Sequence, residues 1–234
     1  MRIAGSTVLI TGANRGLGRA LAHAALARGA TKVYAGARDP DTVDLDGVTP
    51  LRLDITDPRS AAEAASSASD VDILINNAGV STASDLVTGD LDTIRLEMET
   101  QFFGTLNMVR AFAPVLKSNG GGAIVNVLSA LSWFSIKGAN AYAASKAAEW
   151  SLTNGVRLEL AAQGTTVTGV YLGVVDTDMT KDYDGPKLPT SMVAGTALDG
   201  LEAGKIEVLV DQWSADVKAA LARDPREFYG AQIA

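Results

Sequence analysis

Short apolar runs alternate along the chain with longer segments in which apolar residues recur every three or four positions. The short runs have the length of buried strands, and the longer segments have the period of amphipathic helices. Strands are predicted at residues 7–10, 32–35, 50–53, 71–75, 123–128, 166–172 and 206–210. Strands that alternate with helices in this way predict an α/β fold, in which one parallel sheet carries helices on both faces.

The helical segments are bounded by residues that commonly begin and end helices. Asp57 and Pro58 form a typical N-cap and first residue for a helix that reaches about residue 69. The longest periodic segment predicts one continuous helix over residues 90–117, with a kink at Pro114. Further helices are predicted after the first strand, in a C-terminal tail, and at residues 141–163 and 190–203.

The length and composition predict one domain that spans residues 1–234, because α/β folds of this size often stay undivided. Hydrophobic residues make up 47% of the chain, which is enough for a large core and excludes a disordered protein. The polar segment 176–190 contains Gly and Pro, and we interpret it as a short lid over a binding site.

The charge and the rare residue types exclude several classes of function. The net charge of −7 comes without a basic cluster, so nucleic acid is not expected as a partner. The chain has no cysteine for thiol catalysis, and its single His23 excludes a histidine-rich metal site, so no metal is predicted. The N-terminus does not resemble a signal peptide, and no apolar segment is long enough to span a membrane. We therefore expect a soluble, cytoplasmic protein without a membrane partner.

A glycine-rich turn, TGANRGLG, lies between the first predicted strand and a helix. Its glycines are Gly12, Gly16 and Gly18, in the spacing G-x-x-x-G-x-G. A turn of this kind presents backbone N–H groups and a helix N-terminus to a pyrophosphate. The turn therefore predicts nucleotide binding.

The end of the second strand indicates which dinucleotide binds. In many dinucleotide-binding sheets an acidic residue at this point bonds the ribose 2′-hydroxyl. This chain has Ala37 and Arg38 there, and Arg15 lies in the glycine-rich turn. Two guanidinium groups favour a 2′-phosphate, and so NADP(H). Asp39 precedes Pro40, and we interpret it as a cap for the next turn.

Tyr142 and Lys146 are four residues apart in the run YAASK and share one face of a predicted helix. An ammonium near a phenol favours the phenolate and lowers a pKa of about 10, so Tyr142 is expected to exchange protons near neutral pH. Ser129 lies thirteen residues earlier, at the end of a predicted strand, where α/β folds bind ligands. A Tyr and a Lys at this spacing also fit a solvated helix face, so the other motifs decide between the two interpretations.

Four elements together resemble the short-chain dehydrogenase/reductases, specifically their main, carbonyl-reductase-like oxidoreductase branch. They are TGANRGLG, NNAG at residues 76–79, Ser129 and YAASK, in the order and spacing of that family. The resemblance covers nearly the whole chain and implies a Rossmann sheet of strand order 3-2-1-4-5-6-7 with a nicotinamide cofactor. It also implies that Tyr142 is the general acid or base, that Lys146 bonds the nicotinamide ribose and lowers the Tyr142 pKa, and that Ser129 holds the substrate oxygen.

The resemblance further implies which residues contact the cofactor. The glycines would line the pyrophosphate, and the ends of the third, fourth and sixth strands would meet the adenine and the nicotinamide. The implied cofactor-binding residues are Gly12, Asn14, Arg15, Gly16, Leu17, Gly18, Ala37, Arg38, Asp54, Ile55, Asn76, Ala78, Gly79, Tyr142, Lys146, Gly173, Val175 and Thr177.

The chain departs from the family pattern at two positions. Gln101 stands where the family usually has an Asn that bonds a water linking the Lys to solvent, and we count it among the catalytic residues. Gln carries the amide one methylene further from the backbone, so we expect lower activity than in a variant with Asn. Leu172 precedes Gly173 where the family commonly has Pro, which is expected to loosen this turn and to place a Leu near the nicotinamide.

The predicted substrate pocket is mostly apolar or aromatic, which favours a hydrophobic ketone, aldehyde or alcohol as the small-molecule substrate. Its predicted residues are Ser81, Leu131, Trp133, Phe134, Leu172, Val174, Met179 and Tyr183, although Trp133 and Phe134 fit simple packing equally well. Alternative functions are a weakly active NADP-sensing protein and a related epimerase or dehydratase. The helices on either side of Ser129 and the apolar tail at residues 228–234 predict a homodimer or homotetramer.

Overall fold

The computed structural model describes residues 1–230 and contains one seven-stranded parallel sheet. The strand order is β3-β2-β1-β4-β5-β6-β7, which confirms the predicted Rossmann order. The strands are β1 Thr7–Thr11, β2 Lys32–Ala37, β3 Thr49–Arg52, β4 Ile73–Asn76, β5 Ala123–Val127, β6 Thr166–Tyr171 and β7 Glu207–Leu209. Because all pairings are parallel, the carboxyl ends of the strands lie at one edge of the sheet.

Helices cover both faces of the sheet. They are α1 Gly16–Ala27, α2 Pro58–Ser67, α3 Leu91–Met98, α4 Thr105–Ser118, α5 Asn140–Leu160, α6 Thr190–Glu202, α7 Gln212–Ala220 and α8 Pro225–Tyr229. Asp57 caps α2 as predicted, because its carboxylate accepts a hydrogen bond from the Arg59 N–H. Within the described residues, no helix combines the length and apolar character needed to cross a bilayer.

The alternation of side chains along β1 divides the core into two layers. Val8 and Ile10 pack on the face covered by α1 and α6, and Leu9 packs on the face covered by α2, α4 and α5. Both layers are fully buried in the centre of the sheet, as expected for parallel strands that are covered on both sides. The buried strands β1 and β5 thus hold the glycine-rich turn and Ser129, which follow them, at the same edge of the sheet.

The predicted continuous helix over residues 90–117 is wrong. A π-helical turn, Glu99–Gly104, separates α3 from α4, and the helix then continues through Pro114 to Ser118. The predicted apolar face is also partly solvated, since Leu91 is exposed whereas Glu97 is completely buried. Part of the buried face consists of polar side chains that are hydrogen-bonded to neighbouring elements. The three- to four-residue spacing of apolar side chains therefore does not identify the buried face.

Candidate active site

The glycine-rich turn between β1 and α1 is closely packed against the end of β4. Gly12 and Gly16 have φ values of +64° and +53°, a region that residues with a side chain rarely adopt. A Cβ at Gly18 would collide with the Gly12 carbonyl oxygen and would lie 2.6 Å from Asn77 Nδ2. The sequence thus requires glycine at these positions for backbone reasons, and the N-terminus of α1 remains accessible.

Asn77, which the sequence analysis did not single out, holds this turn. Its Nδ2 donates a hydrogen bond to the Thr11 carbonyl oxygen at 2.9 Å, and its backbone N–H donates to Thr11 Oγ1 at 2.9 Å. Ala78 N–H donates to the same hydroxyl at 2.9 Å. Asn14 Nδ2 donates to Thr42 Oγ1, and Leu17 packs against the core. These hydrogen bonds join the ends of β1 and β4. In the sequence, the only signal for this role of Asn77 is its position within NNAG.

Arginine side chains lie at the tip of β2. Arg38 is exposed directly after the buried Ala37, and the guanidinium of Arg52 donates to the Arg38 carbonyl oxygen at 3.3 Å. The sequence analysis missed Arg52, because only the pairing of β2 with β3 brings it opposite Ala37. Asp39 accepts a hydrogen bond from the Asp41 N–H, so its carboxylate caps the following turn, as the sequence predicted.

Arg15 is also exposed and forms an ion pair with Asp178, with 3.3 Å between Nη1 and Oδ2. Both side chains are more than 70% exposed, so water screens this pair and its net energy is small. The guanidinium is therefore free to exchange Asp178 for another anion at little cost.

The predicted adenine side of the site lies at the end of β3. Asp54 Oδ1 accepts hydrogen bonds from the backbone and hydroxyl of Thr56, and Ile55 is buried beneath it. Asn107 Nδ2 donates to the Ile55 carbonyl oxygen at 3.0 Å, which ties this loop to α4. Asn107 is thus committed to Ile55 and does not substitute for the family's Asn.

A chain of buried amides links β4 and β5 to α5. Asn76 Nδ2 donates to Asn126 Oδ1 at 2.8 Å, and Asn126 Nδ2 donates to Thr153 Oγ1 at 2.9 Å. The Thr153 hydroxyl in turn donates to the Glu149 carbonyl oxygen. This network joins the strand that carries NNAG to the helix that carries Tyr142 and Lys146.

Ser129, Tyr142 and Lys146 converge at the end of β5. Ser129 is buried, and its hydroxyl accepts a hydrogen bond from the Leu131 N–H at 3.1 Å and lies 3.5 Å from the Leu172 carbonyl oxygen. Lys146 is 5% exposed and places Nζ 5.8 Å from the centroid of the half-buried Tyr142 ring. The predicted shared face of Tyr142 and Lys146 is therefore present on α5.

The expected depression of the Tyr142 pKa is not found in this structure. Burial raises the pKa of the phenol, and this effect outweighs the lowering by the Lys146 ammonium and by the Ser129 hydroxyl. Glu149 and Glu97 also raise the pKa of Tyr142, because their carboxylates disfavour a second negative charge nearby. Lys146 alone thus does not decide the acidity of Tyr142.

Lys146 is held by two acceptors other than Tyr142. Its Nζ donates to Glu149 Oε2 at 2.7 Å and to the Val127 carbonyl oxygen at 2.8 Å. Burial lowers the pKa of Lys146, but the interactions with Glu149 and Tyr142 outweigh burial and raise this pKa overall. Lys146 is therefore a buried cation in this structure.

Gln101 lies in the π-helical turn and is completely buried. Its Nε2 donates to the Val80 carbonyl oxygen at 2.6 Å, in the loop that follows NNAG. Its Oε1 has no partner within residues 1–230. The side chain thus anchors the loop after β4. The glutamine, whose side chain is one methylene longer than the family's Asn, lies in a π-helical turn, which has a wider backbone than an α-helix.

The two ends of the predicted lid segment are hydrogen-bonded to each other beside the end of β6. Leu188 N–H donates to the Val174 carbonyl oxygen at 2.7 Å, and Asp176 N–H donates to the Leu188 carbonyl oxygen at 2.9 Å. A Cβ at Gly16 would lie 3.3 Å from the Thr177 methyl group, so Thr177 lies beside the glycine-rich turn. Gly173 is also a close approach, because a Cβ there would collide with the Asp211 carboxylate.

The predicted pocket residues separate into two groups. Buried members pack in the core: Leu172 contacts the layer under α6, and Trp133 and Phe134 belong to an aromatic cluster with Tyr171 and Phe228. Trp133 stacks on Tyr171 with ring centroids 4.1 Å apart. The more accessible members are Ser81, Leu131, Val174, Met179 and Tyr183. The packing interpretation therefore accounts for Trp133, Phe134 and Leu172.

The apolar tail packs on its own chain where the structure describes it. Phe134 contacts the rings of Phe228 and Tyr229, with centroids 4.5 Å and 4.9 Å away. Both residues remain partly exposed beside Phe134, and their docking on a neighbouring subunit stays a prediction. Residues 231–234 of the predicted docking tail lie outside the described residues.

Comparisons with known proteins agree with this geometry. The model of the short chain dehydrogenase family matches residues 6–187. A short chain dehydrogenase of Burkholderia cenocepacia, solved in complex with NADP, is 40% identical and has a TM-score of 0.95 over 100% of both chains. A 3-oxoacyl-(acyl-carrier-protein) reductase of Vibrio harveyi is 30% identical over 190 residues, which cover 77% of this chain and 78% of that protein.

An uncharacterized oxidoreductase of Staphylococcus saprophyticus is 28% identical over 210 residues, which cover 83% of this chain and 90% of that protein. These matches confirm the resemblance that the four sequence motifs carried. Since the family model spans most of the chain, the protein belongs to the short-chain dehydrogenase/reductase family of oxidoreductases.

Proposed function

We propose that this protein is an NADP(H)-dependent oxidoreductase that interconverts a hydrophobic ketone or aldehyde and its alcohol. The observation that carries the proposal is the convergence of Ser129, Tyr142 and Lys146 at the sheet edge that also holds the glycine-rich turn. A phenol and a hydroxyl at one strand end can hold a carbonyl oxygen and give it a proton.

The residues at the turn fit a dinucleotide. The missing Cβ at Gly18 lets the turn pack closely against Asn77, and the accessible N-terminus of α1 favours an anion. Exposed guanidinium groups of Arg15 and Arg38, with Arg52 bonded to the Arg38 backbone, fit a 2′-phosphate. The relative from Burkholderia cenocepacia, which was solved with NADP, supports the same cofactor.

The remaining contacts of the proposed cofactor follow the family pattern. Asp54 and Ile55 would meet the adenine, and Asn76, Ala78 and Gly79 would line the centre of the site. Gly173, Val175 and Thr177, at the base of the lid, would meet the carboxamide. When bound, the nicotinamide supplies a hydride to the carbonyl carbon or accepts one from the alcohol.

The chain's own residues handle the proton and the substrate oxygen. Ser129 donates a hydrogen bond to the carbonyl oxygen and orients it toward Tyr142. Tyr142 then donates the phenolic proton as the oxygen gains negative charge, and takes the proton back in the oxidation direction. Lys146 stabilises the resulting phenolate electrostatically, because its ammonium is close to the ring and is held in place by Val127.

The proposed substrate class follows from the accessible pocket residues. Leu131, Val174, Met179 and Tyr183 offer apolar and aromatic surface, and none of them can pair with a carboxylate or phosphate. We therefore propose a small hydrophobic carbonyl compound. The protein is also proposed to form a homodimer or homotetramer, since Leu96, Phe103 and Leu158 leave large apolar side chains exposed on α3, the π turn and α5.

The test is reduction of an aryl ketone with NADPH by the wild type and by Tyr142→Phe. General acid catalysis contributes about 10²- to 10⁴-fold, so the variant should lose that much turnover while its affinity for NADPH is retained. Tyr34→Phe is the matched control, since it removes a phenol that bonds Lys32 and Asp70 outside the proposed site, and it should remain active. Wild-type turnover by Tyr142→Phe refutes the proposed mechanism, and faster reduction of charged keto acids refutes the substrate class.

A further inference from the structure

Glu149 is a buried carboxylate without a role in the site described so far. It lies on α5, three residues after Lys146, and is 2% exposed. Burying a charged carboxylate costs free energy unless the charge is paired and hydrogen-bonded. A buried carboxylate on the helix that carries the proposed proton donor therefore requires an explanation in terms of its partners.

Each carboxylate oxygen of Glu149 accepts a hydrogen bond, one from α5 and one from α4. Oε2 accepts the hydrogen bond from Lys146 Nζ at 2.7 Å. Oε1 accepts one from Thr105 Oγ1 at 3.0 Å, at the point where α4 begins after the π-helical turn. Glu149 thus connects the lysine of the site to the start of α4, directly after the π-helical turn that contains Gln101.

The pair changes what Lys146 presents to Tyr142. Lys146 is a nearly buried cation whose observed hydrogen bonds go to Glu149 and Val127, away from the phenol. A carboxylate 2.7 Å from the ammonium cancels much of its field at the Tyr142 ring, whose centroid is 5.8 Å from Nζ. The net charge felt by the phenol is therefore smaller than that of a free lysine.

The groups around this pair are few and can be named element by element. From α5 the ionisable groups are Tyr142, Lys146 and Glu149, and from α3 the buried Glu97 acts on the phenol. The start of α4 contributes the uncharged Thr105, and the loop after β5 contributes the Ser129 hydroxyl. From β6, Tyr171 also interacts with Glu149, which adds to the rise that burial causes in the pKa of that phenol. The Glu97 carboxylate accepts hydrogen bonds from the backbone N–H and from the hydroxyl of Thr82. Glu97 is therefore bonded to the loop after β4.

We propose that Glu149 is a positioning residue that anchors Lys146 and partly neutralises it, so that Tyr142 keeps its proton to higher pH and the site favours carbonyl reduction. The proposal rests on the function proposed for Tyr142 and Lys146. It agrees with the direction in which Glu149 raises the pKa of the phenol. Thr105 keeps the carboxylate in place, and its hydrogen bond opposes the rise in the Glu149 pKa that burial causes.

The test is the titration of Tyr142 in the full-length protein, followed by NMR with isotope-labelled tyrosine and assigned with Tyr142→Phe. Glu149→Gln retains the shape and an acceptor for Lys146 but removes the charge. We expect the pKa of Tyr142 to fall by about one pH unit, because the negative charge of Glu149, which disfavours the phenolate, is lost. The pH dependence of alcohol oxidation should move to lower pH by the same amount.

Two further variants separate this role from general effects. Glu159→Gln removes one negative charge from an exposed position on the same helix and should leave the titration unchanged. Glu149→Asp keeps the charge but retracts it, and should give a smaller shift in the same direction. An unchanged or higher Tyr142 pKa in Glu149→Gln overturns the proposal. The titration needs no turnover, so an active Tyr142→Phe would refute the proposed function without affecting this result.

Discussion

Replacing Gly18 by Ala tests the glycine-rich turn as a cofactor site independently of the proton chemistry. The added Cβ would lie 2.6 Å from Asn77 Nδ2 and would collide with the Gly12 carbonyl oxygen. A normal contact requires roughly 3.5 Å, so the backbone or Asn77 has to retreat by about 1 Å. Neither is free to move, because Asn77 is bonded to Thr11 and Gly12 is at the end of a buried strand.

The size of the effect follows from what the retreat removes. Crowding of this kind costs about 1–3 kcal/mol of folding stability. A backbone N–H that no longer reaches a pyrophosphate oxygen loses a hydrogen bond to a charged group, about 1.5–3 kcal/mol. We therefore expect the Kd for NADPH to rise by about 10- to 100-fold.

The assay is titration of the protein with NADPH, followed by calorimetry or by cofactor fluorescence, together with thermal unfolding. Gly155→Ala is the matched control, because a Cβ at this helical position meets nothing within 4 Å. That control should bind NADPH normally and gain about 0.5–1 kcal/mol of stability, as is usual for Ala in a helix interior. Wild-type affinity in a folded Gly18→Ala variant would contradict the assignment of the turn as the pyrophosphate site.

The remaining predictions concern cofactor choice, the π-helical turn and association. Arg38→Asp should reduce the kcat/KM with NADPH by about 10-fold or more and leave NADH nearly unaffected, since a carboxylate repels a 2′-phosphate; equal losses with both cofactors would argue against the assignment. Gln101→Asn should raise the turnover rate and shift the pH profile of turnover. Unchanged kinetics would show that the water-mediated link between Lys146 and solvent does not involve residue 101. Leu158→Lys replaces a side chain that is 80% exposed on α5 and should preserve folding while it lowers the molar mass in light scattering. An unaltered assembly in that variant would remove α5 from the proposed interface.

The local chemistry of the chain was sufficient to predict the sheet and the turn. Gly12 and Gly16 have positive φ values that favour glycine, and Gly18 is packed too closely against Gly12 and Asn77 for a Cβ, so a glycine-rich motif marks this turn in the sequence. Strands such as β1 and β5 are nearly continuous apolar runs because both faces of the sheet are covered there. The spacing of Tyr142 and Lys146 predicts one shared helix face, but only the other motifs distinguish this pair from a solvated one.

The segment around Gln101 could not be predicted from hydrophobic periodicity. Its buried face contains Glu97, Thr100 and Gln101, and two of these are bonded by groups outside the helix. Their partners, Thr82 and Val80, belong to a loop whose position depends on the whole sheet. A polar residue that is paired over such a distance has the same sequence pattern as a solvated one.

The direction of the Tyr142 pKa shift was also beyond the sequence. The spacing of Tyr142 and Lys146 indicates a cation near the phenol, but it gives neither the burial of the ring nor the second partner of the ammonium. Glu149 is visible three residues after Lys146, yet this spacing is equally typical of a solvated ion pair. Burial decides between the two, and burial depends on α3 and α4.

The buried amides of β4 and β5 also have a consequence for how the sheet selects its register. Asn76 and Asn126 lie opposite each other in the pairing of these two strands. A slip of one strand by one residue would separate the two amides and turn the amide of the slipped strand to the other face, where apolar neighbours offer it no partner. Every misregistered pairing of these strands therefore leaves buried polar groups unpaired, and the strands that present NNAG and Ser129 can align in only one low-energy way.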